Sequence, residues 1–205
     1  MEAEQVIYNS LNMNNIINNI LQIDTDLFLM LNGMHNDASD LFAVACSNRF
    51  FWIPFYFFLL RKLYQQFKSK VYVPIISCVL LIVCSDQSSR LIKNSFERLR
   101  PCHNNTIKNL VHLYNNDCGG SYGFVSSHAA NCAGIATFII LIFGYKNKAV
   151  FWSVIVYTFL VSYSRIMLGR HYPLDIIGGW LVGILSGLII LQIQKLWMSK
   201  LNGLY

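Results

Sequence analysis

The stretch that decides the fold is residues 173–194, which read PLDIIGGWLVGILSGLIILQIQ and contain one charged side chain, Asp175. An α-helix rises 1.5 Å per residue, so a run of this length spans the roughly 30 Å hydrocarbon core of a bilayer. Four further apolar runs of about this length cover residues 41–61, 71–93, 126–145 and 149–168. We therefore predict an all-α fold, a polytopic bundle with five transmembrane spans.

The composition supports a membrane protein. Of the 205 residues, 55% are hydrophobic and 13% are charged, about half the charged share of a soluble domain. Disordered and fibrous chains are excluded. The net charge of +6 comes from Lys and Arg placed between the apolar runs, where membrane topology explains them, so we expect no nucleic-acid partner.

The N-terminal segment differs from the rest of the chain. The first 20 residues contain no Lys or Arg, so we expect no cleavable signal peptide. We predict an amphipathic interfacial segment over residues 1–38, followed by a membrane-embedded domain over 39–205. Its apolar residues at helical spacing are Ile16, Ile17, Ile20 and Leu21. The alternative is a sixth crossing over about residues 20–35, despite Asp24, Asp26 and Asn32.

The short connections predict the orientation. Basic residues flank the turns between spans one and two and between spans three and four, and they mark the cytoplasmic side. They are Arg61, Lys62, Lys68, Lys70, Lys146 and Lys148. The long polar connection 97–125 and the turn near Arg170 then face outward. We expect a multi-pass protein of a cell membrane, the cytoplasmic membrane if the source is bacterial.

The cysteines predict a disulfide rather than a metal site. None of the six shows CxxC spacing, which argues against structural zinc. Cys102 and Cys118 lie in the outward connection, where an oxidising compartment would let them close a 17-residue ring. Cys46, Cys78, Cys84 and Cys132 fall within predicted spans, where we expect them to pack.

Charged residues gather at the outward ends of the spans, where they are costly and functional by default. Lys93 and Arg100 are seven residues apart and share a face if the helix continues. With Arg165 they make three cations that need an anion, and the Arg fork matches phosphate oxygens. Ser126 and Ser127 stand where a helix begins, so hydroxyls and backbone N–H groups complete an anion cradle.

Two histidines provide the chemistry. His171 and Asp175 are spaced i to i+4, so the carboxylate lies beside the imidazole and makes it a better nucleophile. His128 arrives from another helix, which leaves one histidine to attack phosphorus and the other to protonate the departing oxygen. Each feature alone also fits a structural role: a helix-start His–Asp pair, interfacial cations, or Ser126 as an N-cap. Their conjunction on one membrane face favours a site.

In these residues the chain resembles the type 2 phosphatidic acid phosphatase superfamily, whose signature has three parts, K-x6-RP, PSGH and SR-x5-H-x3-D. The first part matches at Lys93 to Arg100-Pro101, and the third at Ser164-Arg165, His171 and Asp175. The middle part departs from the pattern and reads Val125-Ser126-Ser127-His128. We expect the backbone of the cradle to differ there. The resemblance covers roughly residues 40–195.

The resemblance implies a metal-independent membrane lipid phosphatase with no cofactor. It implies that His171 forms a phosphohistidine, that Asp175 orients it and that His128 is the general acid. The phosphate oxygens would bind Lys93, Arg100, Ser126, Ser127 and Arg165. The expected substrate is a phosphate monoester or diphosphate end group of a lipid, with polyprenyl diphosphate or lipid A ahead of phosphatidylglycerol phosphate or phosphatidic acid.

Two other classes of protein are weighed against this enzyme. A vanadate-dependent haloperoxidase would share the anion cradle, but those enzymes are soluble. A non-catalytic lipid-binding or transport protein would be expected to lack one of the histidines or Asp175, but His128, His171 and Asp175 are all present. The oligomeric state stays open.

Some polar residues have open roles. Arg49 either faces the bundle with a partner or marks a kink in the first span. Arg170 is either a phosphate contact or a plain loop cation. We expect His103 and His112, in the outward connection, to be solvated rather than to bind a metal.

Overall fold

The computed structural model describes residues 2–202, with side chains described from 13 to 201. These residues form seven α-helices joined by turns and short 3₁₀ segments. The helices are α1 (Glu2–Asn32), α2 (Asp37–Ser47), α3 (Ile53–Phe67), α4 (Tyr72–Phe96), α5 (Ser127–Phe143), α6 (Lys148–Met167) and α7 (Pro173–Asn202). Within the described range the extended pairing is one isolated bridge, between Leu99 and Tyr122. The prediction of an all-α fold is confirmed.

Three helices are long and apolar enough to cross a membrane. They are α4, α6 and α7, the last over Pro173–Leu201. Helix α5 is also apolar but has 17 residues. The protein is therefore a membrane helix bundle, with fewer long spanning helices than the five predicted spans.

The first predicted span is not one continuous helix. Helix α2 ends at Ser47 and α3 begins at Ile53. Asn48 adopts an extended conformation, and its Oδ1 accepts a hydrogen bond of 2.9 Å from the N–H of Phe50. Pro54 lies at the start of α3, where its missing N–H is harmless but could not continue a helix from α2. The prediction of one helical span over 41–61 is therefore wrong.

Helices α5 and α7 approach each other closely through small residues. A Cβ atom on Gly183 would lie 2.1 Å from the carbonyl oxygen of Ala130 and 2.8 Å from the N–H nitrogen of Gly134. Such contacts are typical of helices that pack in membranes. The close approach brings the two N-termini together, and the N–H of Ser126 donates to the carbonyl of Asp175 at 2.9 Å.

The loop after α4 folds back on itself. Glu97 adopts a left-handed conformation with φ 48°, which ends the helix at Phe96. Arg100 consequently lies in the loop, so it does not share a helical face with Lys93 as a continued helix would require. The N–H of Gly123 donates to the carbonyl of Arg98 at 2.8 Å. This arrangement returns the chain towards the start of α5.

A disulfide closes the same loop. It joins Cys102 to Cys118, whose Cα atoms are 6.1 Å apart, as the sequence predicts. Near it the N–H of Arg100 donates to the carbonyl of Ser121 at 3.0 Å. The bridge therefore lies beside Arg100, which precedes Cys102 by two residues.

The C-terminal end of α1 is fixed to the bundle. Phe28 is buried against Tyr172. Asn32 donates to the carbonyls of Met167 at 2.8 Å, of Ile166 at 3.2 Å and of His112 at 3.1 Å. The boundary at residue 38 between an N-terminal segment and the main domain stays a prediction. The apolar residues at helical spacing that the sequence singled out are exposed, which fits either an interfacial helix or a further crossing: Ile16, Ile17, Ile20 and Leu21.

Candidate active site

The pair formed by His171 and Asp175 lies at the start of α7. Both side chains are buried, and the Nδ1 of His171 lies 3.3 Å from the Oδ2 of Asp175. The same carboxylate oxygen accepts the N–H of Tyr172 at 3.1 Å. These contacts fix the imidazole by its Nδ1 and leave Nε2 as the nitrogen that can carry a lone pair.

Arg98 completes the surroundings of Asp175. Its Nη1 donates to the Oδ1 of Asp175 at 2.8 Å, and its Nη2 donates to the Oδ2 of Asp24 at 2.6 Å. The guanidinium carbon also lies 4.1 Å from the ring centre of Tyr172. Asp24 in turn accepts the N–H of Leu174 at 2.8 Å through its other oxygen. One cation therefore joins two buried carboxylates from opposite ends of the chain.

The sequence reasoning missed Arg98 and Asp24 as site residues. Arg98 lies two residues before Arg100, and Asp24 lies in a stretch rich in Ile and Leu that also holds Asp26. Buried charges need partners. The available signal was therefore that the sequence held one acid and one base without an assigned role. The pairing itself joins residues 74 apart, which no local pattern reveals.

Three predicted phosphate-binding cations surround His171. Lys93 donates to the carbonyl of Val125 and, at 2.9 Å, to the Oγ of Ser127. The Nη1 of Arg100 donates to the carbonyl of Cys118 at 2.8 Å. Burial, followed by the charge of Arg170, lowers the pKa of Arg100. These cations are thus desolvated and close together, the condition under which an anion binds.

Arg165 is the most deeply buried of these cations, with 3% of the residue exposed. Its Nη1 donates to the Oγ of Ser47. Its Nε has no hydrogen-bond partner among the described residues. An unpaired buried guanidinium nitrogen is costly, and a phosphate oxygen would satisfy it.

The environment of His171 favours its neutral form. Burial, followed by the charges of Arg165, Arg100 and Lys93, lowers the pKa of His171 well below its usual value of 6.5. A nucleophilic imidazole must be neutral. The cations that would hold a phosphate therefore add to the effect of burial on the pKa of His171.

The start of α5 supplies the two serines. Ser126 is the N-cap of the helix, and its Oγ accepts the N–H of Ala129 at 3.5 Å. The hydroxyl of Ser127 instead faces Lys93. The predicted roles of Ser126 as N-cap and as part of a cradle are compatible, because the N-terminal amides of a helix attract anions.

His128 faces a cavity of about 740 Å³ among α3, α4, α5 and α6. The polar end of this cavity includes Ser127, Asn131 and Asp86, and the Nδ2 of Asn131 donates to Asp86 at 2.9 Å. The rest is mostly apolar, with Leu60, Leu63, Ile75, Val79 and Ile82 among the lining residues. A cavity of this kind suits an apolar chain with a polar end.

Two of the residues with open roles take positions near the site. Arg49 lines the large cavity and lies over the ring of Phe50, 5.2 Å from its centre. Arg170 pairs with Asp117 through its Nη2 and donates from Nε to the carbonyl of the same residue at 3.1 Å. Arg170 also borders a recess of about 270 Å³ that includes Ser47 and Tyr114. Arg170 is thus a loop cation with a partner at the rim of the site.

The comparisons with known proteins agree with this geometry. The sequence profile of the PAP2 superfamily matches residues 71–199. A lipid A 4'-phosphatase of Bacteroides thetaiotaomicron is 35% identical over 183 residues, which cover 88% of this chain and 80% of the relative. A lipid A 4'-phosphatase of Porphyromonas gingivalis is 34% identical over 186 residues, 90% of this chain and 78% of the relative.

Two solved structures share the fold. The crystal structure of Aquifex aeolicus LpxE matches with a TM-score of 0.59 and 27% identity, covering 82% of this chain and 93% of that one. The transmembrane PAP2-type phosphatidylglycerolphosphate phosphatase of Bacillus subtilis matches with a TM-score of 0.67 and 17% identity, covering 87% of each chain. At that identity the second likeness concerns the fold alone.

Proposed function

The chain belongs to the PAP2 superfamily and is a membrane lipid phosphatase, and we propose that it hydrolyses a phosphate monoester of lipid A through a phosphohistidine at His171. The observation that carries the mechanism is the buried imidazole of His171, which contacts Asp175 and interacts with the charges of Lys93, Arg100 and Arg165. Three cations concentrate around the atom that would attack phosphorus, and this arrangement stabilises charge that develops on the phosphoryl oxygens.

The chemistry proceeds in two displacements. In the first, the Nε2 of His171 forms a bond to phosphorus while the bond from phosphorus to the lipid oxygen breaks, and His128 gives that oxygen a proton. In the second, His128 takes a proton from water, the water oxygen attacks phosphorus, and inorganic phosphate leaves as the phosphorus–nitrogen bond breaks. Asp175 stabilises the positive charge on His171 between the steps. The scheme uses neither a metal nor a cofactor.

The cradle divides into side-chain and backbone parts. Lys93, Arg100 and Arg165 supply charge to the phosphate oxygens. Ser127 and the N-terminal amides of α5 supply neutral donors, with Ser126 capping the helix. The unpaired Nε of Arg165 supports this assignment, because a bound phosphate would complete its hydrogen bonds.

Two neighbouring spaces support lipid A as the substrate. The 740 Å³ cavity would take the start of an acyl chain, and the 270 Å³ recess at the rim would take polar groups of the sugar. Ser47 borders both spaces and is hydrogen-bonded to Arg165. The phosphate would therefore bind where the polar and apolar parts of the substrate meet.

Polyprenyl diphosphate is the second candidate. The described residues offer one large apolar cavity beside His128, which suits a substrate with a single tail. A terminal diphosphate would bind the same three cations. Phosphatidylglycerol phosphate and phosphatidic acid remain as weaker alternatives.

We also propose a topology in which the site faces outward from a bacterial cytoplasmic membrane. Basic residues at the opposite helix ends, Lys68 and Lys148 among them, support a cytoplasmic location for those ends. Helix α5, together with the broken pair α2 and α3, would complete five crossings. The break at 48–52 borders the cavity, and irregular backbone at membrane depth is tolerated in such a place. Residues 1–38 would form the interfacial segment, joined to domain 39–205 through Asp24.

The test is phosphate release by detergent-purified protein at 25 °C in EDTA. The substrates are lipid A, undecaprenyl diphosphate, phosphatidylglycerol phosphate and phosphatidic acid. We expect release from lipid A, loss of release in His171→Ala, and trapping of acid-labile ³²P on wild type but not on that variant. The loop variant His103→Ala is the matched control and should keep wild-type rates. Release that survives His171→Ala would contradict the mechanism. Release from one of the other lipids, without release from lipid A, would show that the other lipid is the substrate.

A further inference from the structure

A second cluster of titratable side chains lies where α1, α2 and the outward loop meet. It consists of His35, Asp40 and His112, and each of them offers one ligand atom within 4.8 Å of those of the other two. The phosphatase mechanism uses none of these residues. We propose that they bind a divalent transition metal ion, for which Zn²⁺ is the best match.

The positions of the three side chains suit a shared ion. The Nε2 of His112 lies 2.8 Å from the Oδ2 of Asp40. The rings of His35 and His112 stack with centroids 3.5 Å apart and an interplanar angle of 1°. Zinc binds histidine nitrogen at roughly 2.0–2.1 Å in tetrahedral sites, so its ligand atoms lie about 3.4 Å apart. His35 is exposed, and a rotation of its side chain brings its nitrogen to that spacing.

The carboxylate of Asp40 calls for a further cation. Asp40 is buried, and its Oδ1 has no hydrogen-bond partner among the described residues. The contact with the Nε2 of His112 accounts for Oδ2 but leaves Oδ1 without a partner among the described residues and His35 without a role. A metal ion at the meeting point of the two rings and the carboxylate would compensate the buried charge. Two imidazoles and one carboxylate are a ligand set that zinc accepts, with water as the fourth ligand.

His112 is held in place by neighbours that orient a ligand. Its N–H donates to the Oδ1 of Asn32 at 2.8 Å, and its carbonyl accepts the Nδ2 of the same side chain. The backbone at Gly169 lies directly against it, since a Cβ there would be 2.5 Å from the carbonyl oxygen of His112. Gly169 is two residues before His171. The ion would therefore brace the outward loop on the segment that carries the nucleophile, without entering the reaction.

The experiment measures zinc binding by the untagged full-length protein in detergent and phosphate-free buffer. The protein is stripped with a chelator, dialysed, and titrated with Zn²⁺ against a chromophoric chelator while its thermal unfolding is followed. We expect one tight Zn²⁺ per chain. The unfolding midpoint should rise by about 5–10 °C at a hundredfold excess over Kd.

Substitutions separate coordination from ring stacking. His35→Phe keeps an aromatic ring over His112 but removes the ligand nitrogen, so it should lose tight binding and the thermal shift. His103→Ala, in the same loop but outside the cluster, should keep both. The initial rate of phosphate release at low temperature should be the same in His35→Phe and wild type, which shows that the variant is folded.

Two results would overturn the proposal. One is the absence of tight Zn²⁺ binding by wild type, and the other is equal binding by His35→Phe. Either would reduce the cluster to an Asp40–His112 pair with a stacked ring. Because binding and unfolding are read separately from phosphatase activity, failure here would leave the proposed phosphatase mechanism untouched, and failure of that mechanism would not affect this result.

Discussion

The guanidinium of Arg98 holds Asp175 by the oxygen that does not face His171. Its Nη1 donates to the Oδ1 of Asp175 at 2.8 Å, while the Oδ2 lies 3.3 Å from the Nδ1 of His171. The other arm of the fork is fixed by Asp24. Asp24 in α1 is therefore linked to His171 through Arg98 and Asp175, without a direct contact of its own.

Asp24→Asn should slow the reaction without greatly weakening substrate binding. The substitution removes the charge that positions Arg98, and a hydrogen bond to a charged group is worth about 1.5–3 kcal/mol, which corresponds to a loss of about ten- to a hundredfold in kcat. KM should change little because Asp24 contacts no phosphate-binding cation of the cradle. The matched control is Asp26→Asn, an exposed acid one half-turn away. Equal kcat in the two variants would refute the positioning role.

His128→Ala should show an effect that depends on the leaving group. Release from a lipid needs a proton on a poor leaving oxygen, so the rate should fall by about 10²–10⁴. With p-nitrophenyl phosphate, whose leaving group needs no proton, the loss should be much smaller. His171→Ala should lose both activities. If the rates with the two substrates fall equally in His128→Ala, His128 is not the general acid.

Arg165→Met should separate binding from stability. The unpaired buried guanidinium is costly in the absence of an anion, so the variant should unfold at the same or a higher temperature than wild type in phosphate-free buffer. Phosphate should stabilise wild type but not the variant, and inhibition by phosphate should weaken by about ten- to a hundredfold. Arg61→Met, an exposed arginine of α3, is the control. Unchanged inhibition would place the phosphate elsewhere.

The pH dependence should respond to Arg100. Burial and then the surrounding cations lower the pKa of His171 below 6.5, and only the neutral imidazole attacks. Arg100→Gln removes one of these charges, which makes protonation easier and raises the pKa of His171. The acid limb of kcat/KM should therefore move to higher pH than in wild type. Both proteins are measured with the same substrate, so ionisation of the substrate affects the two pH profiles equally.

The control for this pH measurement is Arg90→Gln, at an exposed position of α4, whose acid limb should match wild type. If the acid limb of kcat/KM in Arg100→Gln stays in place or moves to lower pH, the pKa of His171 does not determine that limb.

Gly183→Ala should weaken the α5–α7 contact. The new methyl group would lie 2.1 Å from the carbonyl oxygen of Ala130, so the helices must separate. Overpacking costs about 1–3 kcal/mol, which lowers the unfolding midpoint by several degrees. Activity should also fall, because α5 carries His128 and α7 carries Asp175. Gly120→Ala, where a Cβ meets nothing within 4 Å, should leave both unchanged.

The parts of the fold visible in the sequence were those with local signals. Long apolar runs predicted α4, α6 and α7, and i to i+4 spacing predicted the contact between His171 and Asp175. The sequence left a kink in the first span, marked by Arg49, as an open alternative but did not locate the break after Ser47, which depends on a side-chain bond of Asn48 inside an apolar run. The end of α4 at Phe96 escaped because Glu97 carries no glycine-like signal for a left-handed conformation.

The site was harder to predict than the fold, because its support comes from distant residues. The spacing of the motifs identified the cations and histidines as candidates, but Asp24 reached Arg98 only through tertiary packing. His112 and Asp40, 72 residues apart, met for the same reason. Short-range patterns in a sequence carry no information on such pairs.

The contacts of Arg98 with both Asp24 and Asp175 bear on the order in which the site forms during synthesis. Asp24 and Arg98 both precede Asp175 in the chain, and Asp175 lies in α7, the last of the described helices. Synthesis runs from the N-terminus, so Arg98 can pair with Asp24 while α7 is still unmade. The pair of Arg98 and Asp24 can form only after Arg98 has been made, and the arrival of α7 with Asp175 then completes the brace.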